Sequence, residues 1–414
     1  MKVSVVSLGC RTNQAEILRI ESDLSQAGHQ IVPLSSSPDI CIVNTCAVTS
    51  RAESDSRRLI RNALEKSARV MATGCFVELN FKGLSTSGLE RFMPVRNEQK
   101  DFIPGIIGYD TSCALSSPQP IIRRHRPVVK AQDGCDARCS YCVVPSARGK
   151  SRSIPVGEVI NRVNYYHSLG AQEIVLSGIH LGSYGKDHSP PISLGALLKE
   201  MLRQTAVPRI RLSSVECGEI DDELLEVLLE QRLCRHLHVP LQSGDDAILE
   251  SMNRHYTAKA YVALMERLLS LSSEVALGTD VMVGFPGEGS AQYARTLKVV
   301  KALPFAYLHV FPYSPRPDTP AASFTPTVSE TDRKIRVEEL REISSTMKKH
   351  FACRNAGHRL QALVETVRRA GCLCTTGNYI KALVSSPEPL IPGTLVNVTI
   401  TGWESGLAKA IVAP

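Results

Sequence analysis

The chain has 414 residues, 43% of them hydrophobic and 21% charged, with a formal net charge of +7 and 13 cysteines. At about 150 residues per domain this predicts two or three globular domains, and it excludes a disordered, fibrous or membrane-spanning chain, since no apolar run approaches the ~18 residues that a bilayer needs. The N-terminus MKVSVVSLGC carries no cleavable signal, so thirteen cysteines point to reduced thiols, metal ligation and a cytoplasmic location, not to a disulfide framework.

The first third reads as alternating strands and helices. Residues 3–8 (VSVVSL) predict a strand ending at Gly9 and Cys10, followed by a helix that Gly28 caps. Residues 40–44 (ICIVN) predict a second strand, ending at Thr45 and Cys46, and Ser50 with Glu53 reads as a capping box opening a helix to about Ala68. Residues 69–73 (RVMAT) predict a third, ending at Gly74 and Cys75. Strands of a parallel sheet end on one edge, so Cys10, Cys46 and Cys75 form a candidate metal site although they are far apart in sequence. Cys41, inside a strand, reads as core. A first domain over residues 1–112 is followed by a Ser/Pro-rich linker at 113–127.

A second domain, residues 128–350, opens with a strand at 128–132 that leads into DGCDARCSYC. Cys135, Cys139 and Cys142 stand there in a Cys-x3-Cys-x2-Cys run. Thiolates this close can share three irons of a cubane cluster, leaving a fourth iron for a small molecule beside which Tyr141 could pack. Five more strands are expected at 173–177, 209–212, 236–241, 275–283 and 306–311, with helices between them, for example at 221–231. Six such units make a partial β/α barrel whose chemistry belongs at the C-terminal strand ends. Those ends are polar or glycine-rich: SGIHLGSYG, SSVEC, QSGDD and GFPGE. Gly178 and Gly182 suit close approach of a ligand to the backbone, Glu216 and Gln242 could bind ribose hydroxyls, and Ser213 and Asp280 lie on the same rim.

Between residues 120 and 155 the local charge is +6, nearly the whole excess of the chain, which suits either a polyanion such as RNA or a solvated face. Arg148, Lys150 and Arg152 follow the cysteine run directly and are the expected RNA contacts. After a helix at 331–350, alternation at 359–367, 379–384, 393–401 and 407–412 predicts a small all-β barrel over residues 355–414. Such barrels often bind nucleic acid, with Lys381 supplying charge and Trp403 either capping the barrel or stacking on a base. Cys372 and Cys374 read as incidental residues of a turn, GCLC.

These residues resemble a known family over nearly the whole chain. The Cys-x3-Cys-x2-Cys run is similar to the signature of radical S-adenosylmethionine (SAM) enzymes; SLGCRTNQAE, NTCAVTSRAES and TGC are similar to the N-terminal domain of methylthiotransferases, and the last segment resembles a TRAM domain. QDGCDARCSYCVVPSARGKSRS, HVPLQSGDDAILESMNR and GTDVMVGFPGE are most similar to members acting on threonylcarbamoyladenosine in tRNA. The resemblance implies one 4Fe-4S cluster on Cys135, Cys139 and Cys142 that chelates SAM, and a second on Cys10, Cys46 and Cys75 that delivers a methylthio group to adenine C2. It implies tRNA and an electron donor such as flavodoxin or ferredoxin as partners, with no role for DNA or a membrane. Members acting on isopentenyladenosine or on a ribosomal-protein aspartate are the alternatives, expected to read QMN or PKN where this chain reads RTN. A non-catalytic iron-sulfur carrier or RNA-binding module is the alternative from another class, though a carrier has no need of a polar strand-end rim.

Overall fold

The structure is a computed structural model that describes residues 1–86, 90–108, 125–272 and 274–413. Most of the expected linker, with Cys113, lies outside the described residues. The first sheet has five parallel strands: β1 (Lys2–Ser7), β2 (Gln30–Ile31), β3 (Ile40–Thr45), β4 (Arg69–Gly74) and β5 (Phe92–Pro94), in the order β2-β1-β3-β4-β5. The two unexpected strands are edge strands too short to carry a period. Central β3 is buried at every residue, which is why ICIVN reads as a continuous apolar run. Helix α1 (Arg11–Gln26) follows β1 and helix α2 (Ser50–Lys66) follows β3. The cap of α2 is Thr49, not Ser50: the Thr49 hydroxyl accepts from the Ala52 N–H at 3.1 Å. Ser50 instead meets the Ser314 hydroxyl at 3.0 Å, and Glu53 binds Arg316 at 2.5 Å, so the expected capping pair serves a contact with a distant segment.

The second unit contains β6 (Val128–Asp133), β7 (Arg152–Ser153), β8 (Glu173–Gly178) and β9 (Arg209–Leu212) in one sheet, and β10 (His236–His238), β11 (Ala276–Val283) and β12 (Tyr307–Pro312) in another. Bridges from Ile210 to Leu233 and from Ser214 to His238 join the two, so six parallel strands form an open partial barrel. The helix expected at 221–231 is the shorter Asp222–Val227. Helix Glu330–Arg354 leads to a closed barrel of five strands, β13 (Arg359–Arg368), β14 (Gly371–Thr376), β15 (Lys381–Ser385), β16 (Leu395–Glu404) and β17 (Leu407–Val412). GCLC is therefore strand, not turn: Cys372 and Cys374 are buried in the core of this barrel.

Two buried ion clusters join the three units. Helix α1 lies against β6 and β8, where Ala15 packs on Val128 and Val175. One turn below its start, the buried Glu16 carboxylate takes Arg148 at 2.8 Å, Lys100 at 2.7 Å and Lys130 at 3.3 Å, while Asp133 takes Lys130 at 2.9 Å and Arg148 at 2.8 Å. At the other end, Glu173 is fully buried between Arg211 (2.7 Å) and Arg209 (2.5 Å). Those arginines also donate to carbonyls of the small barrel: Arg209 to Gln361 at 3.1 Å, Arg211 to Thr376 at 3.0 Å and Gly377 at 3.1 Å.

Burial alone would raise the Glu16 carboxyl, but Arg148, Lys100 and Lys130 outweigh it and hold it well below the carboxylate range. A depressed pKa contributes stability that is present at neutral pH and lost as the pH falls below the ordinary carboxylate range. Glu16→Gln leaves three cations facing Asp133 alone, and removal of one partner from a buried network costs about 3–5 kcal/mol. The expected outcome is a lower denaturation midpoint for the variant at pH 7 and a smaller deficit near pH 3, measured by urea unfolding followed by circular dichroism.

Candidate functional site

Strands β1, β3 and β4 are neighbours, so Cys10, Cys46 and Cys75 follow them onto one edge of the sheet. Asn13 ties the first two loops together by donating to the carbonyls of Leu8 (2.7 Å) and Thr45 (3.0 Å). Thr45 donates to the Thr73 carbonyl at 2.5 Å, and Ser56 bonds both the N–H and the carbonyl of Cys46. Cys10 is exposed; Cys46 and Cys75 are buried. Burial, with the neighbouring Cys75 and Cys10 adding to it, pushes the Cys46 thiol up to about 11.

The second triad occupies the loop after β6. Gly134 opens it at φ 70°, where a Cβ would meet the Lys150 carbonyl at 1.9 Å, so the chain entering the loop lies against the chain leaving it. Burial pushes Cys142 up to about 12, with Cys139 and Cys135 adding to the shift. Burial disfavours the thiolate form of Cys46 and Cys142, and a bound cation such as the iron of a cluster would reverse that preference. Both triads offer that donor set, and all six cysteines are free. Helix Cys75–Leu79, which begins on one triad, packs against helix Val144–Arg148, which directly follows the other.

Two neighbours of the second triad carried no spacing signal. His180 places Nδ1 3.5 Å from Cys135 Sγ and Nε2 3.0 Å from Glu219. Burial lowers its pKa, but these two partners outweigh that and push it up to about 10. Arg254 donates to Cys139 Sγ at 3.4 Å and pairs with Glu216. Their only trace in the sequence was membership of the strand-end loop SGIHLGSYG and of the stretch HVPLQSGDDAILESMNR.

Of the residues expected on the SAM rim, Ser213 is buried with a hydroxyl that has no partner among the described residues, and Gln242 holds a left-handed φ of 63°. An orphaned buried hydroxyl and a strained residue fit a polar ligand there. Tyr141 is half-buried, edge-on to Phe285 with ring centroids 6.4 Å apart. Glu216 is engaged by Arg254, so it braces the cysteine loop. Asp280 turns away from the rim: its Oδ1 meets His238 Nε2 at 2.9 Å and His309 Nδ1 at 3.3 Å inside the barrel. A Cβ on Gly178 would meet Gln132 at 3.0 Å and one on Gly182 would meet Glu219 at 2.2 Å, so both glycines admit protein rather than ligand.

The basic stretch divides. Arg148, expected to contact RNA, is only 4% exposed, with Glu16, Asp133 and Asn13 on its guanidinium, so it cannot reach a phosphate. Lys150 and Arg152 are exposed beside it. Lys381 is likewise corrected: its ammonium is held by Glu365 at 2.7 Å and Thr375 at 2.6 Å. Trp403 is half-buried against the small barrel's core, in the capping position. Among the described residues no helix is long and apolar enough to cross a membrane.

Comparison with known proteins agrees with this arrangement. Residues 129–300 match the radical SAM superfamily and residues 2–91 match uncharacterized protein family UPF0004. The chain is 33% identical to the threonylcarbamoyladenosine tRNA methylthiotransferase MtaB of Aquifex aeolicus, over 92% of this chain and 96% of that one. It is 31% identical to the MtaB of Bacillus subtilis, over 96% and 93%. It is 29% identical to the tRNA-2-methylthio-N(6)-dimethylallyladenosine synthase of a Sulfurihydrogenibium species, over 97% and 96%. Among solved structures, the radical SAM methyltransferase TsrM of Kitasatospora setae has a TM-score of 0.57 at 16% identity, covering 78% of this chain and 77% of its own, a likeness of fold. With a third of its residues shared across almost the full length of such relatives, the chain belongs to the radical SAM methylthiotransferase family.

Proposed function

We propose that this protein adds a methylthio group to C2 of N6-threonylcarbamoyladenosine in tRNA. The observation that carries the reading is the pair of three-cysteine sites, each at the C-terminal edge of a parallel sheet, whose flanking helices Cys75–Leu79 and Val144–Arg148 touch. A carrier of one cluster needs neither the second site nor a barrel lined with polar side chains. The relatives named for threonylcarbamoyladenosine support the substrate.

In this reading Cys135, Cys139 and Cys142 would hold the 4Fe-4S cluster that works with SAM, and Cys10, Cys46 and Cys75 would hold the other. When bound, these groups supply the radical chemistry that replaces hydrogen by a methylthio group on a carbon no acid or base activates. The chain's own residues position and shield. Arg254 and His180 donate to the cysteine sulfurs of the SAM site and lower the charge they carry, as hydrogen bonds to ligating sulfur do. Tyr141, Phe285, Ile248 and Met252 form an apolar wall that keeps water from the loop. Ser213 and Gln242 are placed for the polar parts of SAM, and a flavodoxin- or ferredoxin-type protein is the electron source.

The target adenosine must leave its stack to enter the barrel, and the RNA around it needs cations at the barrel mouth. Exposed Lys150 and Arg152, next to the cysteine loop, fill that role. Replacing both with alanine is expected to weaken tRNA binding and to lower the slope of log K against log salt by about 1.5, with iron content unchanged. An unaltered slope in anisotropy titrations from 50 to about 300 mM salt would remove them from the interface.

The substrate itself is tested by mass spectrometry of tRNA nucleosides from cells lacking the protein and cells re-supplied with it. The 2-methylthio form of threonylcarbamoyladenosine is expected to vanish and return, while the precursor rises and falls in step. No change, or a change confined to the isopentenyl nucleoside, overturns the assignment.

A further inference from the structure

Inside the partial barrel the side chains are polar where a β/α barrel is ordinarily filled by branched aliphatics. The Tyr307 ring lies across Gly278, where a Cβ would come within 2.2 Å of it. Its hydroxyl bonds His236 Nε2 at 2.8 Å and His238 Nδ1 at 3.0 Å. His238 and His309 share Asp280. On the far side Tyr379, from the turn after β14, stands 4.3 Å from His236 and 5.5 Å from Tyr307, ring centre to ring centre. A chain of polar groups thus runs across the lumen from Asp280 to Tyr379, and the next group is Arg11.

Arg11 directly follows Cys10, so it links this lumen to the second triad. It is half-buried, and its guanidinium donates from Nη2 to the Tyr379 hydroxyl at 3.2 Å. It forms no ion pair among the described residues. The neighbouring carboxylates are already committed: Glu173 to Arg209 and Arg211, Glu365 to Arg126 (2.5 Å) and Lys381 (2.7 Å). Among the described residues, five cations therefore share two carboxylates at this end of the barrel, and Arg11 is the one left over. Burial would raise the Tyr379 hydroxyl, yet Arg11, Arg126, Lys381 and Arg211 together hold it below its ordinary value, which registers the same excess of positive charge. A half-buried guanidinium without an anion is costly unless a ligand supplies one.

The geometry points to Arg11 as the binding residue for the substrate's carboxylate: we infer that the threonyl carboxylate of threonylcarbamoyladenosine docks on its guanidinium, flanked by Tyr379, Tyr307 and His309. This rests on the proposed substrate and adds what distinguishes it. The threonylcarbamoyl group carries one carboxylate, one hydroxyl and urea donors and acceptors, which this lumen can pair; an isopentenyl group carries none and would leave the half-buried Arg11 without an anion. Docking at Arg11 also anchors the modified base beside Cys10, on the side of the second triad. Charge-assisted bonds of this kind separate ligands by roughly 10- to 100-fold.

The test uses the cluster-loaded full-length enzyme, anaerobically, with three RNA stem-loops that differ only at the target base: threonylcarbamoyladenosine, the same group with its carboxyl converted to a carboxamide, and unmodified adenosine. The wild type is expected to bind the first 10- to 100-fold more tightly than the other two. Arg11→Gln is expected to bind all three alike, with Arg11→Lys in between and with iron content and the electron paramagnetic resonance spectrum of the reduced clusters unchanged. Equal wild-type affinity for the carboxylate and carboxamide probes overturns the subsite without need of any variant, and so does a preference that survives in Arg11→Gln. If the wild type forms methylthio product on the carboxylate probe but ignores its charge, the subsite alone fails. If it forms none, the substrate assignment fails with it.

Discussion

The arrangement of this molecule depends on one buried carboxylate. Glu16 projects from α1, on the N-terminal sheet unit, and is met by Lys100 of its own unit and by Lys130 and Arg148 of the partial barrel. Buried ion pairs gain little net stability, because desolvation offsets most of the attraction. Their geometry, however, is demanding, and that is their use here. Arg148 also donates to Asn13 at 2.5 Å, and Asn13 binds the carbonyls of Leu8 and Thr45 on either side of the N-terminal cysteines. Asp133, the other carboxylate, stands two residues before Cys135. A single guanidinium therefore spans the loops of both triads, and any slip of one unit against the other would strand a charge.

The same logic at the opposite end of the barrel produces the lumen. Glu173 fixes Arg209 and Arg211, whose remaining donors capture carbonyls from Gln361 and Thr375 through Gly377, and this seats the small barrel with Tyr379 facing the histidines. Once Glu173 and Glu365 have chosen their partners, the charge left over falls on Arg11. The docking of the small barrel and the positive character of the lumen are thus one electrostatic arrangement. Trp403 and Lys381, which a nucleic-acid reading of the barrel would favour, are used to build it, and the exposed cations sit elsewhere, at Lys150 and Arg152.

Much of the fold could be read from the chain. The rule that parallel strands end on one edge was enough to gather Cys10, Cys46 and Cys75, and the spacing of Cys135, Cys139 and Cys142 needed no tertiary information. The missed strands have identifiable causes: β2 and β5 are too short to show a period, and β14 begins at a glycine and contains GCLC, a composition that reads as a turn. Thr49 rather than Ser50 caps α2 because a serine hydroxyl can be used by a distant segment that no local pattern reveals.

What the sequence by itself determined is where the thiols gather, because strand periodicity and cysteine spacing are local properties of the chain. What only the tertiary structure decided is what each charged side chain does. Arg148 and Glu16 are 132 residues apart, and nothing in a basic run says which of its members will find a buried carboxylate and which will face solvent. Asp280 reads as a rim residue until β12 brings His309 beside it, and nothing local in RTN says that the commitments of Glu173 and Glu365 leave Arg11 without an anion. Electrostatic pairing acts through space, over chain separations that sequence patterns do not span, so the gathering of the thiols was legible from the chain and the charge that surrounds them was not.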